Sequence, residues 1–199
     1  NIEVPSDISS AAFFMVAACI SDDADIVLEA VNINPTRTGV IDILKLMGGN
    51  IELSNERLDA GELIADIRVS SSNLTGIQIP EKLVPLAIDE FPAIFIAASC
   101  AYGETLLTGA KELRVKESDR IQVMADGLSS LGIVNHVLED GIRIKGGKFK
   151  EQTAPIESHH DHRISMAFAI ASVSSDADIT IKGVDNVKTS FPNFVALAN

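Results

Sequence analysis

Five charged side chains within seven residues are the densest candidate for chemistry in this 199-residue sequence. Arg114, Lys116 and Arg120 are interleaved with Glu117 and Asp119, between a short apolar run that predicts a strand and a helical pattern. Cations at the N-terminus of a helix oppose its dipole, at a cost of roughly 0.3–1 kcal/mol each. The stretch is therefore either a solvated helix start of mixed charge, or a pocket in which backbone N–H groups, Lys and Arg bind a phosphate or carboxylate.

A second candidate is Asp89, which stands just before Phe91-Pro92 and an entirely apolar run. Proline close to the first turn predicts that a buried helix begins here. One interpretation of Asp89 is the N-cap of that helix. The other is a general base, held partly out of water at the mouth of the helix.

A third candidate is a histidine cluster before another predicted helix: His159, His160 and His162 precede Arg163. Contiguous histidines on one turn cannot all face one ion, and no carboxylate pair at ligand spacing accompanies them, so the sequence disfavours a metal site. One interpretation that stays open is that the cluster is simply the polar start of a helix. An anion contact through Arg163, with His162 available for proton transfer, also stays open.

The elements that must position these residues recur three times along the chain. Each unit has a first helix of small and apolar side chains, predicted at 11–18, 93–98 and 164–171. A strand follows it, predicted at 25–31, 105–110 and 178–184. Second helices are predicted at 36–47, at 117–131 and, with Ser190 as N-cap, from 191 onward. Further strands are predicted at 51–53, 65–69, 134–138 and 141–144.

Each unit reads β-α-β-α-β-β, and the expected fold class is α+β. The first helices are apolar all round and should be buried, whereas the second helices are amphipathic. We therefore expect three units around a pseudo-threefold axis, with helices inside and sheets outside. Such an axis would bring together, at one end of the domain, the charged residues near the helix openings, which are Arg37, Arg120 and Arg163 with Asp7, Asp89 and Asp161.

Charge and hydropathy narrow the class of protein. The formal net charge of −12 argues against a nucleic-acid surface, and the longest apolar run, 11–20, is too short to cross a bilayer. Cys19 and Cys100 lie in apolar helical runs, which favours buried reduced thiols and a cytoplasmic protein. The chain starts at Asn1 without a basic leader and stops within a helical pattern, so we expect a fragment of a longer protein.

Six motifs, in this order along the chain, resemble landmarks of the 5-enolpyruvylshikimate-3-phosphate synthase family, the 3-phosphoshikimate 1-carboxyvinyltransferases. The most specific of them is LRVKESDR at 113–120. The others are DISSAAF at 7–13, NPTR at 34–37, DEFP at 89–92, DHRI at 161–164 and TSFP at 189–192. The resemblance covers nearly all of the chain and is to the C-terminal lobe of the family.

The resemblance implies a fold of two lobes, each of three β-α-β-α-β-β units with inward helices. Residues 1–199 would be one such lobe, without the N-terminal lobe. It implies transfer of the enolpyruvyl group of phosphoenolpyruvate to the 5-hydroxyl of shikimate 3-phosphate, with release of phosphate, in the shikimate pathway of aromatic amino-acid biosynthesis. No metal, cofactor, nucleic acid or membrane is implied, and the isolated fragment is expected to be inactive.

The resemblance also implies roles for individual residues. Asp89 is similar to the carboxylate that holds, or deprotonates, the shikimate hydroxyl. Lys116 is similar to the lysine that bridges the two substrates, and Glu117 to the carboxyl that moves a proton at the methylene carbon of phosphoenolpyruvate. The implied substrate-binding set, in which the arginines clamp phosphoenolpyruvate, is Lys116, Arg120, His162 and Arg163.

Three positions depart from the family's pattern: Ser6 stands for a glycine, His160 for an aspartate, and Lys188 lies one place from a lysine that would align with Thr189. Two other functions stay open. One is a lobe of the UDP-N-acetylglucosamine enolpyruvyl transferase, which is similar in fold, although the KESDR run at 116–120 favours the shikimate enzyme. The other is a non-catalytic anion-binding or interaction module, against which the intact set of charged residues argues.

Overall fold

The computed structural model of the protein describes residues 4–175 and 178–198. The first unit contains α1 (Ile8–Ile20), β1 (Asp25–Asn32), α2 (Gly39–Leu46), β2 (Asn50–Asp59) and β3 (Glu62–Ser70). The second contains α3 (Phe91–Cys100), β4 (Glu104–Leu107), α4 (Arg120–Ser130), β5 (Asn135–Val137) and β6 (Ile142–Lys145). The third contains β7 (Ile156–Glu157), α5 (His162–Ala171), β8 (Ile181–Lys182), α6 (Val187–Ser190) and α7 (Phe194–Ala198).

The core is built from the first helix of each unit, since α1, α3 and α5 all contact one another. Their composition explains this, because a helix that is apolar on every side lowers its free energy by being covered on every side. In α3 every side chain from Phe91 to Ser99 is buried. Helix α4 packs closely on this core at Gly127, where a Cβ atom would lie 2.3 Å from Cζ of Phe168. The prediction of buried first helices is confirmed.

The sheets confirm the full β-α-β-α-β-β repeat in the first two units, whereas no strand follows α6 in the described residues of the third. The first two units have antiparallel three-stranded sheets of the same order, β1-β3-β2 and β4-β6-β5. Each unit also contains a parallel pairing between the segment before its first helix and the strand after it. These pairings are Ser6 with Val31, Thr75 with Tyr102, Gln78 with Leu106 and, in the two-stranded sheet of the third unit, β7 with β8. Ser6 therefore lies in an extended pairing.

The sheets lie outside the helices, as expected. In β6 the side chains of Ile142 and Ile144 are buried, whereas those of Arg143 and Lys145 are exposed. This alternation means that one face of the sheet covers the helical core and the other faces solvent. Strand β1 likewise alternates between exposed and half-buried positions along most of its length.

The strands flanking the second helices are shorter than predicted where glycines adopt positive φ. The strand predicted at 105–110 ends at Leu107, before Gly109 with φ of 74°. The strand predicted at 178–184 is reduced to β8, which is followed by Gly183, also with φ of 74°. A residue in the left-handed region interrupts the extended backbone, and neither strand resumes beyond its glycine. Strands β1 and β2 do resume beyond Ala30 and Asn55, which also have positive φ and lie at shifts of the strand register.

The starts predicted for the second helices of the first and third units are wrong for local reasons. Helix α2 begins at Gly39 rather than at 36, because Asn34 holds the preceding turn through its side chain to Thr36 N and through its carbonyl to Arg37 N. The last predicted helix does not begin at 191 and Ser190 does not cap it. Ser190 ends α6 instead, and α7 begins at Phe194, because a residue before proline avoids the helical region.

Aromatic side chains hold α7 against α1. The rings of Phe13 and Phe194 meet edge to face with centroids 6.1 Å apart, and those of Phe14 and Phe191 do so at 6.0 Å. Edge-to-face pairs of this kind contribute beyond the apolar area that they bury. They fix the end of the third unit against the middle of α1.

Candidate active site

The openings of three core helices meet at one end of the domain. Arg163, at the start of α5, donates from Nη1 to the carbonyl oxygen of Asp89, just before α3, at 3.1 Å. Ser9, in the first turn of α1, donates to a carboxylate oxygen of Glu90, the residue after Asp89. The predicted convergence of helix openings is confirmed. It also repeats between units, since Arg37 lies 3.6 Å from Asp7 as Arg120 lies 3.2 Å from Asp89.

The spacing of the charged run at 114–120 predicted the first turn of a helix, and this prediction is wrong. Arg114 lies in a 3-10 turn, Lys111–Val115, and Lys116 is extended. Helix α4 begins only at Arg120, because the side chain of Asp119 accepts the N–H of Gln122 and caps the helix there. The interpretation of a solvated start is wrong for Arg120, the one cation of the run in α4, because its side chain is buried.

Arg120 is the centre of the site. Only 1% of its side chain is exposed, and its guanidinium contacts three carboxylates. Nε donates to Asp161 at 2.9 Å, Nη1 to Asp89 at 3.2 Å and Nη2 to Glu117 at 2.5 Å. A buried guanidinium is stable only when its donors are matched in this way. An incoming anion would reach Arg120 by replacing Asp89 or Glu117, which are the more exposed of its partners.

Asp89 does not cap α3, which corrects the capping interpretation. Glu90 occupies the N-cap position and makes no capping bond. The Asp89 carboxylate turns instead towards three cations, at 3.4 Å from Lys116 Nζ, 3.2 Å from Arg120 and 4.0 Å from Arg163. Burial alone would raise the pKa of Asp89, but these three cations lower it below its ordinary value. Asp89 is therefore an ionised hydrogen-bond acceptor.

Lys116 stays a cation beside Asp89. Its Nζ also lies 2.5 Å from the carboxylate of Glu112, one turn earlier. The hydrogen bond with Glu112, followed by the charge of Asp89, raises the pKa of Lys116 although partial burial lowers it. About a fifth of its side chain is exposed, 21%, so Lys116 is partly accessible to solvent.

Asp161 is the fully buried partner of Arg120. It accepts from Arg120, from Ser118 Oγ at 3.0 Å and from the backbone N–H of Arg163 at 2.9 Å, so that it also caps α5. Burial opposes ionisation of Asp161, but the contact with Arg120 and the other hydrogen bonds outweigh it and lower its pKa. The ion pair thus joins the opening of α4 to that of α5.

This arrangement predicts a loss of stability in acid. The folded-state pKa of Asp161 lies below the ordinary value of 3.8. The stability that ionised Asp161 contributes is therefore fully present above about pH 3.8, and it is lost as the pH falls through the lower folded-state pKa. We expect the free energy of unfolding, measured in urea from about pH 7 to about pH 2.5, to fall most steeply below about pH 4. Asp161→Asn should flatten that limb, and parallel curves for the variant and the wild type would contradict the assignment.

His162 and Arg163 line a small cavity next to the contacts of Arg120. A cavity of about 70 Å³ is lined by both residues together with the start of α1, Met166, Ser190 and Phe191. Burial and then the charge of Arg163 lower the pKa of His162, so the ring is neutral near pH 7. Ser190 rather than Lys188 lines this cavity, and Lys188 is exposed on α6. The neighbouring His160 adopts a left-handed backbone with φ of 61°.

The six predicted catalytic and substrate-binding residues all lie in this region; they are Asp89, Lys116, Glu117, Arg120, His162 and Arg163. Several residues that hold them had no predicted site role. Asp161 was noted only as a recurring aspartate, and Glu112, Ser9 and Glu90 were given no role. The spacing of Asp7, Asp89 and Asp161 at equivalent places in the repeat was a usable signal for Asp161. Glu112 had the signal of its spacing from Lys116, which places it four residues earlier.

Comparison with known proteins gives a consistent result. The sequence profile of EPSP synthase (3-phosphoshikimate 1-carboxyvinyltransferase) matches residues 1–197. The 3-phosphoshikimate 1-carboxyvinyltransferases of Vesicomyosocius okutanii and Ruthia magnifica are 72% and 74% identical, and each match covers 100% of this chain and 46% of the relative. None of the helices in residues 4–175 and 178–198 has the length and apolar composition that crossing a bilayer requires.

Solved structures agree with the architecture. The EPSP synthase of Acinetobacter baumannii superposes with a TM-score of 0.95 at 62% identity, covering 100% of this chain and 46% of that one. The enolpyruvyl transferase NikO from Streptomyces tendae superposes with a TM-score of 0.67 at 14% identity, over 95% of this chain and 41% of that one, which shows a shared fold. This chain therefore belongs to the EPSP synthase family, the 3-phosphoshikimate 1-carboxyvinyltransferases, and spans about 46% of the length of these relatives.

Proposed function

We propose that this chain is the C-terminal lobe of a two-lobe enzyme that transfers the enolpyruvyl group of phosphoenolpyruvate to the 5-hydroxyl of shikimate 3-phosphate. The observation that carries the proposal is the arrangement of Asp89 and Glu117 on one guanidinium, that of Arg120, with Lys116 and Arg163 beside them. Two carboxylates and three cations within one helix-mouth site suit a reaction that moves protons on a strongly anionic substrate.

The reaction needs a proton moved at two places. The hydroxyl oxygen bonds to C2 of phosphoenolpyruvate and loses its proton, while C3 gains one. The C2–O bond to phosphate then breaks as C3 gives up a proton, so the products are the enolpyruvyl ether and inorganic phosphate. Both proton positions require a group within hydrogen-bond reach.

The carboxylates divide these tasks by their surroundings. Asp89 is ionised and held by cations, so its part is to orient the attacking hydroxyl through a hydrogen bond and to accept its proton. Glu117 has 52% of its side chain exposed and contacts Arg120 through one oxygen, which leaves the other free to face C3. Lys116 and Arg163 carry the charge that meets the phosphate and carboxylate of the substrates.

The charge balance explains why this lobe needs the other. Lys116, Arg120 and Arg163 are met by four carboxylates of the same chain, those of Asp89, Glu112, Glu117 and Asp161. The local charge is therefore not positive, and an anion gains little from binding to this half alone. In our proposal the N-terminal lobe supplies further cations, holds shikimate 3-phosphate and excludes water on closure.

The proposal is tested by phosphate release with both substrates. We expect no turnover from this chain alone, and only weak anion binding that decreases with salt. We expect turnover when the separately produced N-terminal lobe is added. Phosphate release by the chain alone would contradict the half-site. No release after reconstitution, when the complete protein is active, would contradict its division into two lobes at this boundary.

A cytoplasmic location is part of the same proposal. It is supported by Cys19 and Cys100, which are free thiols rather than a disulfide.

A further inference from the structure

A buried carboxylate next to Asp89 has no part in the mechanism described above. Glu90 is only 3% exposed, and in the described residues its carboxylate forms no ion pair with the cations that contact Asp89. One of its carboxylate oxygens accepts a hydrogen bond from the hydroxyl group of Ser9, which is itself 2% exposed in the first turn of α1. A carboxylate is seldom buried unless its hydrogen bonds are supplied.

Arg37 completes this contact. Its Nη2 donates to Ser9 Oγ at 2.7 Å, and the rest of its side chain is about half exposed. The hydroxyl thus accepts from Arg37 and donates to Glu90, and each contact fixes the direction of the other. We call this series the Arg37–Ser9–Glu90 relay. It links the openings of α1 and α2 in the first unit to the start of α3 in the second.

The electrostatic surroundings of the Glu90 carboxylate are consistent with a group that its partners hold in place. Burial raises the pKa of Glu90, and the hydrogen bond of Ser9 and the charges of Arg163 and Arg37 oppose that rise. A buried carboxylate in this setting gains most when its partners keep one geometry, because any displacement leaves it unsatisfied. The relay is therefore a rigid contact.

The two acidic residues are held by different units of the repeat. The carboxylate of Asp89 contacts cations of the second and third units, and Arg163 also donates to its carbonyl oxygen. The carboxylate of Glu90 is held by Ser9 of the first unit. Arg163 thus holds the residue before this peptide and Ser9 holds the residue after it, so groups from all three units restrict its rotation.

We propose that the Arg37–Ser9–Glu90 relay is a positioning device for the Asp89 carboxylate, and that Ser9 and Glu90 are positioning residues for the reaction. The inference rests on the proposed function, since it gives Asp89 a part in turnover. Loss of the relay frees the peptide after Asp89 and lets the carboxylate leave the place where it orients the hydroxyl. A displacement of about 1 Å at such a group lowers the rate by up to about 10²-fold.

The test compares Ser9→Ala with the wild type in the complete protein. We expect kcat to fall by about 10- to 10²-fold, while KM for both substrates stays within about threefold, because the relay does not touch them. In the Asp89→Asn background the same replacement should change kcat by less than about twofold. Ser99→Ala is the matched control. It removes another fully buried serine hydroxyl, which donates to Phe95 O further along α3, and should leave kcat unchanged.

Two further variants keep the test decisive. Arg37→Gln removes the outer donor at a half-exposed position, so it provides the same comparison if Ser9→Ala does not fold. Glu90→Gln keeps an acceptor for Ser9 and should retain more activity than Glu90→Ala. A loss of kcat equal in both backgrounds, or no loss at all, would overturn the relay alone. Near-normal turnover of Asp89→Asn by itself would overturn the role of Asp89 in the proposed function, and the relay with it.

Discussion

Replacing Asp89 by asparagine in the complete protein is expected to lower kcat by about 10²–10⁴-fold. Asparagine has nearly the same shape but no charge, so it cannot keep Lys116, Arg120 and Arg163 gathered around an anionic acceptor. Stability should change little, because Asp89 makes no capping bond to α3 and Arg120 keeps Asp161 and Glu117. Steady-state kinetics with thermal unfolding of the same preparation measures both effects.

Asp119→Asn is the control for that experiment. Asp119 has the same exposed fraction as Asp89, 35%, and likewise stands before a helix beside an arginine, Arg114. Asparagine preserves its capping of α4, so kcat should stay within about tenfold of the wild type. Equal losses in the two variants would mean that any missing carboxylate in this region is harmful. Near-normal kcat of Asp89→Asn would remove Asp89 from the mechanism.

Replacing Asp161 by asparagine is expected to destabilise the fold by about 3–5 kcal/mol. The reason is that Arg120 and Asp161 have 1% and 0% of their side chains exposed, so loss of one charge leaves the other buried without its main partner. Asparagine still caps helices well, and the loss therefore reports the ion pair rather than the cap of α5. Urea unfolding at neutral pH measures the change.

The exposed pair of Arg68 and Asp25 is the comparison for Asp161. Its two hydrogen bonds are shorter than those between Arg120 and Asp161, with Nε and Nη2 of Arg68 at 2.8 and 2.6 Å from the two carboxylate oxygens of Asp25. About half of each side chain is exposed, however. Solvent screens such a pair, so Asp25→Asn should have a much smaller effect. A similar loss for the two variants would show that burial does not decide the strength of these contacts.

Much of the fold could be predicted from the sequence because its signals are local and repeated. A helix composed of residues such as Ala93 to Ala98 has no polar face, and only burial on all sides satisfies it. Three such helices, each followed by a strand and an amphipathic helix, required one packing with the helices inside. The charged residues at the helix openings then had to meet at one end, and they do.

The remaining features depend on contacts between distant residues. The burial of Arg120 follows from Asp161, 41 residues later. The repeat marks Asp161 as a recurring aspartate, but it does not indicate that Asp161 pairs with Arg120. The start of α4 was misplaced because Glu117, Ser118 and Asp119 offer competing polar side chains, and only the fold selects Asp119 as the cap. Asp89 resembles a cap in sequence, yet three cations from other elements attract it more strongly than the N–H groups of α3.

The central claim is that the site around Arg120 serves enolpyruvyl transfer to shikimate 3-phosphate. Its most direct test is proton NMR of the complete protein with phosphoenolpyruvate and either shikimate 3-phosphate or UDP-N-acetylglucosamine, with phosphate measured in the same sample. We predict vinyl protons of the shikimate product, one phosphate for each product molecule, and neither signal with the nucleotide sugar. Transfer to the nucleotide sugar, or phosphate released without an acceptor, would contradict the account.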